Sequence, residues 1–160
     1  MALRKETAAA LLVGGVSATL LLGAFAFQYL GGLPPCEMCI WQRWPHGAAI
    51  LLGIGGGILA AGGQLPANAT RLLAWLAVTA LIVTGAIGIF HAGVEWKLWA
   101  GPTHCAGAGI DPRQLEIVIV RCDEAAWRLL GISLAGYNAI LSLLVAGIAA
   151  SWLLKERKFA

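Results

Sequence analysis

The sequence predicts an all-α membrane protein: a four-transmembrane-helix bundle whose two exoplasmic loops carry all four cysteines. Composition, apolar run length and the placement of basic residues support this. Of 160 residues, 59% are hydrophobic and 12% charged, whereas a soluble domain carries about 25% charge. With a mean hydropathy of +0.80, the chain could not hide its apolar side chains in one water-soluble core. The length corresponds to a single domain, residues 1–160. A net charge of +3 without a long basic block excludes phosphate tracking, so no nucleic acid partner is expected.

Four apolar stretches cover about residues 8–33, 45–63, 72–94 and 129–154. A helix rises about 1.5 Å per residue and must cross roughly 30 Å of hydrocarbon, so about 20 residues suffice. The second stretch is long enough only if its helix begins near Trp44–Pro45, with proline in the first turn. Continuous rather than alternating apolarity excludes barrel strands. Arg4 and Lys5 ahead of an apolar core, with Ala24-Phe25-Ala26 behind, have the form of a cleavable leader. The apolar run passes that tripeptide, which favours an uncleaved spanning helix. Gly53-Ile54-Gly55-Gly56-Gly57 offers a small-xxx-small face, read as packing within the chain ahead of a dimer contact. The turn at Leu65–Thr70 makes the second and third helices antiparallel neighbours.

Orientation follows from the basic residues. Arg4, Lys5, Arg71, Lys155, Arg157 and Lys158 sit densely near helix ends on one side, which is therefore expected to be cytoplasmic. Arg43, Lys97, Arg113, Arg121 and Arg128 are spread over the other side. Both cysteine loops then face the compartment in which disulfides persist.

Cys36-Glu37-Met38-Cys39 alone permits three chemistries. Zinc could be completed by Cys105 and Cys122 or by His46 and His104, but a 16-residue gap is too open for a second knuckle. A static disulfide in so short a loop constrains the unfolded chain little. A redox pair fits best, because a helix beginning after Cys39 lends partial positive charge to a thiolate. Arg43, one turn on, can add to that or hydrogen-bond an acceptor's carbonyl; otherwise it snorkels. Trp41 and Trp44 belong to an aromatic belt or wall a flat ligand. Cys105, beside His104 in a small-residue segment, is open to a soluble partner. Cys122 lies between Arg121 and Asp123-Glu124. Gln114–Val120 is apolar enough to rest on the membrane surface or to form a short buried strand. His91 near the end of the third helix is a candidate ligand contact, and Glu95 a candidate partner for a loop cation.

Cys36-Glu37-Met38-Cys39-Ile40-Trp41-Gln42-Arg43 resembles the C-x-x-C-x3-R motif of the bacterial disulfide bond formation protein B (DsbB) family. The four helices, the second cysteine pair in the second exoplasmic loop and the Trp127–Tyr137 stretch extend the resemblance over nearly the whole chain. It implies a protein-dithiol:quinone oxidoreductase of the bacterial inner membrane, with cytoplasmic termini and periplasmic cysteine loops. A reduced thioredoxin-like, DsbA-type partner would attack Cys105. Electrons would pass from Cys105/Cys122 to Cys36/Cys39, Cys36 exchanging with the loop pair and Cys39 facing a membrane quinone, ubiquinone ahead of menaquinone. Arg43 would orient the quinone, and His91 is a further candidate for contacting it. A partner as oxidising as DsbA, at about −120 mV, requires a still more oxidising acceptor. A vitamin K epoxide reductase-like enzyme and a non-enzymatic disulfide-stapled membrane protein are the alternatives. The first usually carries its CxxC at the end of a late helix; the second leaves the position of Arg43 unexplained.

Overall fold

The computed structural model describes residues 3–103, 105–110 and 117–155, with the backbone alone for residues 106–110 and 117–119. His104, Arg113, Gln114, Arg157 and Lys158, named above, lie outside the described residues. Among the described residues, four helices are long and apolar enough to cross a membrane: α1 (Lys5–Tyr29), α2 (Glu37–Ala61), α3 (Ala67–Glu95) and α4 (Leu134–Lys155).

Local chemistry sets their ends, and in two places it overrides the apolar pattern. Helix α2 starts at Glu37, eight residues before the expected Pro45. Pro34-Pro35 cannot continue α1, and Cys36 takes an extended conformation with its Sγ accepting from Cys39 N (3.2 Å) as a side-chain cap. Pro45 is thus inside the helix, a placement that membrane helices tolerate. Helix α4 starts at Leu134 rather than at residue 129. Leu130 and Gly131 hold φ of 51° and 81°, as a tight hairpin turn requires, and join β3 (Arg128–Leu129) to β4 (Ile132–Ser133). Ser133 Oγ then accepts from Gly136 N (3.2 Å) as the N-cap.

The described part of the second loop forms strands. Strands β1 (Ala106–Ile110) and β2 (Ile117–Arg121) pair antiparallel, with Ala106 opposite Arg121, so the β-branched run Ile117–Val120 forms a strand. These hairpins are what an all-helical description omits.

Arg4 Nη2 donates to Leu65 O (3.3 Å) and Arg71 Nη2 to Leu153 O (2.9 Å). The start of α1, the α2–α3 turn and the end of α4 therefore share one end of the bundle. Near it, Ala9, Ala10, Val13, Ala49, Ala74, Ala77, Val78, Leu81, Ala146, Ala149 and Leu153 form the core. Without a hydrophobic drive between helices in lipid, such small residues allow close packing. Gly53 lies in a π-helical turn (Leu51–Gly55) against α1, where a Cβ would come within 2.6 Å of Ala10 O and 2.8 Å of Gly14 Cα. A Cβ on Gly57 would meet Leu11 at 2.5 Å. The small-residue face packs within the chain.

Candidate functional site

The cysteines gather at the other end. Cys36 and Cys122 are buried in one cluster with Met38 and Val94, and the less buried Cys39, Cys105 and Val120 pack against it. Cys105 and Cys122 are disulfide-bonded with Cα atoms 5.6 Å apart. They extend the β1–β2 ladder by one position, Cys122 N donating to Cys105 O (3.1 Å). Lys97 Nζ tethers this region from the end of α3, donating to Asp123 O (2.8 Å).

In the first pair, Cys36 and Cys39 are unbonded, with sulfurs 2.6 Å apart. As N-cap and third residue of α2, both sit in its first turn, where unpaired amides and the helix dipole favour negative charge. The hydrogen bond to the Cys39 sulfur, and then burial, push the Cys36 thiol up from its ordinary range.

A cavity of about 240 Å³ runs from these cysteines between α1 and α4. Cys36, Cys39, Gln42, Arg43, His46, His91, Glu95, Phe27, Trp127, Tyr137 and Asn138 are among its lining residues. Arg43 is half-buried. Its Nη1 donates to Gln28 Oε1 (2.7 Å), and the guanidinium lies 4.9 Å from the Phe25 ring centroid. Trp41 and Trp44 do not line the cavity, and Trp44 is 77% exposed. The aromatic walls are Phe27 and Trp127, 5.0 Å apart between centroids. Three buried polar atoms without a hydrogen-bond partner belong to lining residues: Arg43 Nε, His46 Nδ1 and Glu95 Oε2. Among the described residues only Ser17 Oγ is a fourth.

Beneath the cysteines runs a buried polar chain. Gln42 Nε2 donates to Met38 O (3.1 Å), and Gln42 Oε1 accepts from Asn138 Nδ2 (2.8 Å). Those two bonds fix the amide, so its second hydrogen goes to His91 Nδ1 at 2.9 Å. A ring nitrogen that accepts carries no hydrogen; the network therefore assigns the His91 hydrogen to Nε2, 3.6 Å from both Cys36 Sγ and Glu95 Oε1. The backbone of Cys122 reaches the same imidazole. Asn138 Oδ1 in turn accepts from His46 Nε2 and Ser142 Oγ, both at 2.9 Å. Cys36, Cys39 and His91 bring donor atoms within 4.8 Å of one another, close enough to hold a metal ion. With this tautomer, however, His91 offers them an N–H and not a lone pair.

The model of the family described as disulfide bond formation protein DsbB matches residues 6–152. The chain belongs to the DsbB family. One relative, the disulfide bond formation protein B of Psychrobacter sp. (strain PRwf-1), is 27% identical over 155 residues, spanning 88% of each chain. No solved structure matches the chain. DsbB membership makes it a multi-pass membrane oxidoreductase of disulfide bond formation.

The sequence-predicted residues Cys36, Cys39, Arg43 and His91 thus line one cavity of this DsbB-family bundle, and Cys122 shares one buried cluster with Cys36. Sequence reasoning passed over Gln42, Asn138 and Phe27. The first two had a signal, since a polar residue inside an apolar helix must find a partner.

Proposed function

We propose that the protein oxidises a periplasmic thioredoxin-like dithiol protein of DsbA type and passes the electrons through its two cysteine pairs to a membrane quinone. The observation that carries this reading is the continuity of one buried cluster, containing Cys36 and Cys122, with a cavity that Cys39 and Arg43 line. Cys105, the more accessible member of the loop pair, receives the partner's thiolate. Cys122 exchanges with Cys36, because sulfur must meet sulfur for a mixed disulfide. In this reading the chain lies in the bacterial inner membrane, with both termini cytoplasmic and the cysteine loops periplasmic.

The cavity fits a flat ring with polar edges. Arg43 Nε is a buried donor without an acceptor, as a carbonyl oxygen would need, and Phe27 and Trp127 supply aromatic walls. A bound quinone would supply the two-electron acceptor. Arg43 would orient it and offset developing negative charge, while Cys39 faces it from the first turn of α2.

The test mixes the purified full chain with ubiquinone and a reduced thioredoxin-like periplasmic protein and follows quinone absorbance in the ultraviolet. Cysteine-dependent loss of the quinone signal is expected. Cys105→Ser should abolish partner oxidation while quinone binding persists. Unchanged quinone absorbance with the wild-type chain overturns the acceptor, and full partner oxidation by Cys105→Ser overturns the entry point. Substituting menaquinone in the same assay ranks the two acceptors.

A further inference from the structure

The buried chain Asn138–Gln42–His91 has a direction, and that direction ends on Cys36. Every donor and acceptor along it is determined. Asn138 Nδ2 reaches Thr84 O (3.2 Å) as well as Gln42 Oε1, so its own amide cannot turn over without losing both bonds. Thr84 Oγ1 donates to Gln42 O (3.0 Å), which locks the two helices at this level. Reversing Gln42 would set its oxygen against Met38 O and its NH2 against Asn138 NH2, leaving buried polar groups unpaired. A network of this kind in a low-dielectric interior specifies one arrangement.

We propose that Gln42 and Asn138 are positioning residues that hold His91 as its Nε2–H tautomer, so that its neutral N–H faces Cys36 and stabilises the Cys36 thiolate during exchange. The inference rests on the reading of Cys36 as the thiol that exchanges with the loop pair. In that exchange Cys122 thiolate attacks Cys36 Sγ of a Cys36–Cys39 disulfide, the Cys122–Cys36 bond forms and Cys39 leaves as thiolate. Cys105 thiolate then attacks Cys122, the Cys105–Cys122 bond forms, and Cys36 leaves with the electron pair. Two electrons have moved from the loop pair to the CxxC. A thiolate appearing in a buried cluster is costly unless a hydrogen bond meets it. A thiol as hard to ionise as Cys36 is also a slow leaving group. The His91 N–H, 3.6 Å away, offers that bond at this moment.

Two measurements test this. The full-length protein, labelled with 15N-histidine and reconstituted in nanodiscs, reports the tautomer by its ring-nitrogen resonances. Wild-type His91 should carry its hydrogen on Nε2, and a hydrogen on Nδ1 would overturn the proposal even if every variant failed to fold. Gln42→Glu puts an acceptor at Nδ1 and should move the hydrogen there. Asn138→Ala frees the Gln42 amide and should give a mixture. The second measurement mixes oxidised protein with a reduced thioredoxin-like dithiol protein, then acid-quenches and maps alkylated cysteines by mass. Transfer from Cys105/Cys122 to Cys36/Cys39 should slow about tenfold to hundredfold in Gln42→Glu, the size of one lost hydrogen bond to a charged group, and less in Asn138→Ala. A moved hydrogen with unchanged transfer overturns the role, and an unmoved hydrogen in both variants overturns the positioning. The tautomer readout needs neither partner nor quinone. Absence of transfer in the wild type would count against the exchange reading, while the resonances would still decide the positioning.

Discussion

The two ends of this bundle solve opposite problems with the same four helices. At the end tied by Arg4 and Arg71, the core is built from alanines, a few larger aliphatics and glycines at backbone contact, and space is used up. At the cysteine end, the helices hold apart a cavity, and Gln42, His46, Thr84, His91, Glu95, Asn138 and Ser142 form a polar network beside it. Lipid gives no hydrophobic reward for bringing helices together, so close packing of small residues does the holding at the first end. Polar groups that cannot reach water must find one another at the second. The packed end fixes the frame, and the polar end can then afford unpaired atoms facing a ligand site.

The contrast predicts that stability and chemistry are separable by residue. The largest stability effect belongs to the packed end. In Gly53→Ala the new methyl meets Ala10 O and Gly14 Cα, both backbone, so helices rather than side chains must move. Overpacking of this sort costs about 1–3 kcal/mol. Thermal denaturation in detergent should show a clear drop in midpoint with quinone affinity unchanged; an unaltered midpoint would break the contrast.

A smaller effect, of the opposite kind, is expected from Arg43→Lys. Lysine keeps the charge but loses the planar fork that reaches Gln28 and lies over Phe25. Quinone should bind about tenfold more weakly, equivalent to about 1.4 kcal/mol, with the melting midpoint unmoved. Unchanged affinity would return Arg43 to a packing role.

How far the sequence discloses these ends differs too. The four spans were legible because apolar runs of membrane length have few other uses, and Gly53 and Gly57 announced a close contact. The true starts of α2 and α4 were not legible from apolarity. Cys36 caps a polar first turn ahead of the second run, whereas Leu129 to Ile132, apolar in sequence, folds as a hairpin around two positive-φ residues. The same limit hid the polar chain. Gln42 and Asn138 stand out in their helices, but a pairing across 96 positions depends on helix rotation, and no periodicity of one segment contains that. Cys36 and Cys122 were nameable one by one; their shared cluster needed β2 to bring the loop back over α2.

The smallest effect lies at the surface of the cysteine end, in the exposed charges that tether the loop. Asp123 takes hydrogen bonds from Arg121 Nε (2.9 Å) and Nη2 (2.7 Å), and pairs with Lys97. Arg121 first, and Lys97 after it, hold the Asp123 carboxyl well below the usual carboxylate range. A carboxyl lowered in the folded state contributes its stabilisation above the unfolded value near 3.9 and loses it as pH falls through the folded one. The tether is therefore complete at neutral pH and lost only in strong acid. Water screens such a pair heavily, so Asp123→Asn at pH 7 should leave the melting midpoint unmoved. The change should appear locally, as faster hydrogen exchange at the Cys122 amide that bonds Cys105 O, and high salt should reproduce part of it in the wild type. A large fall in midpoint would mean that the loop, and not the small-residue core, carries the bundle.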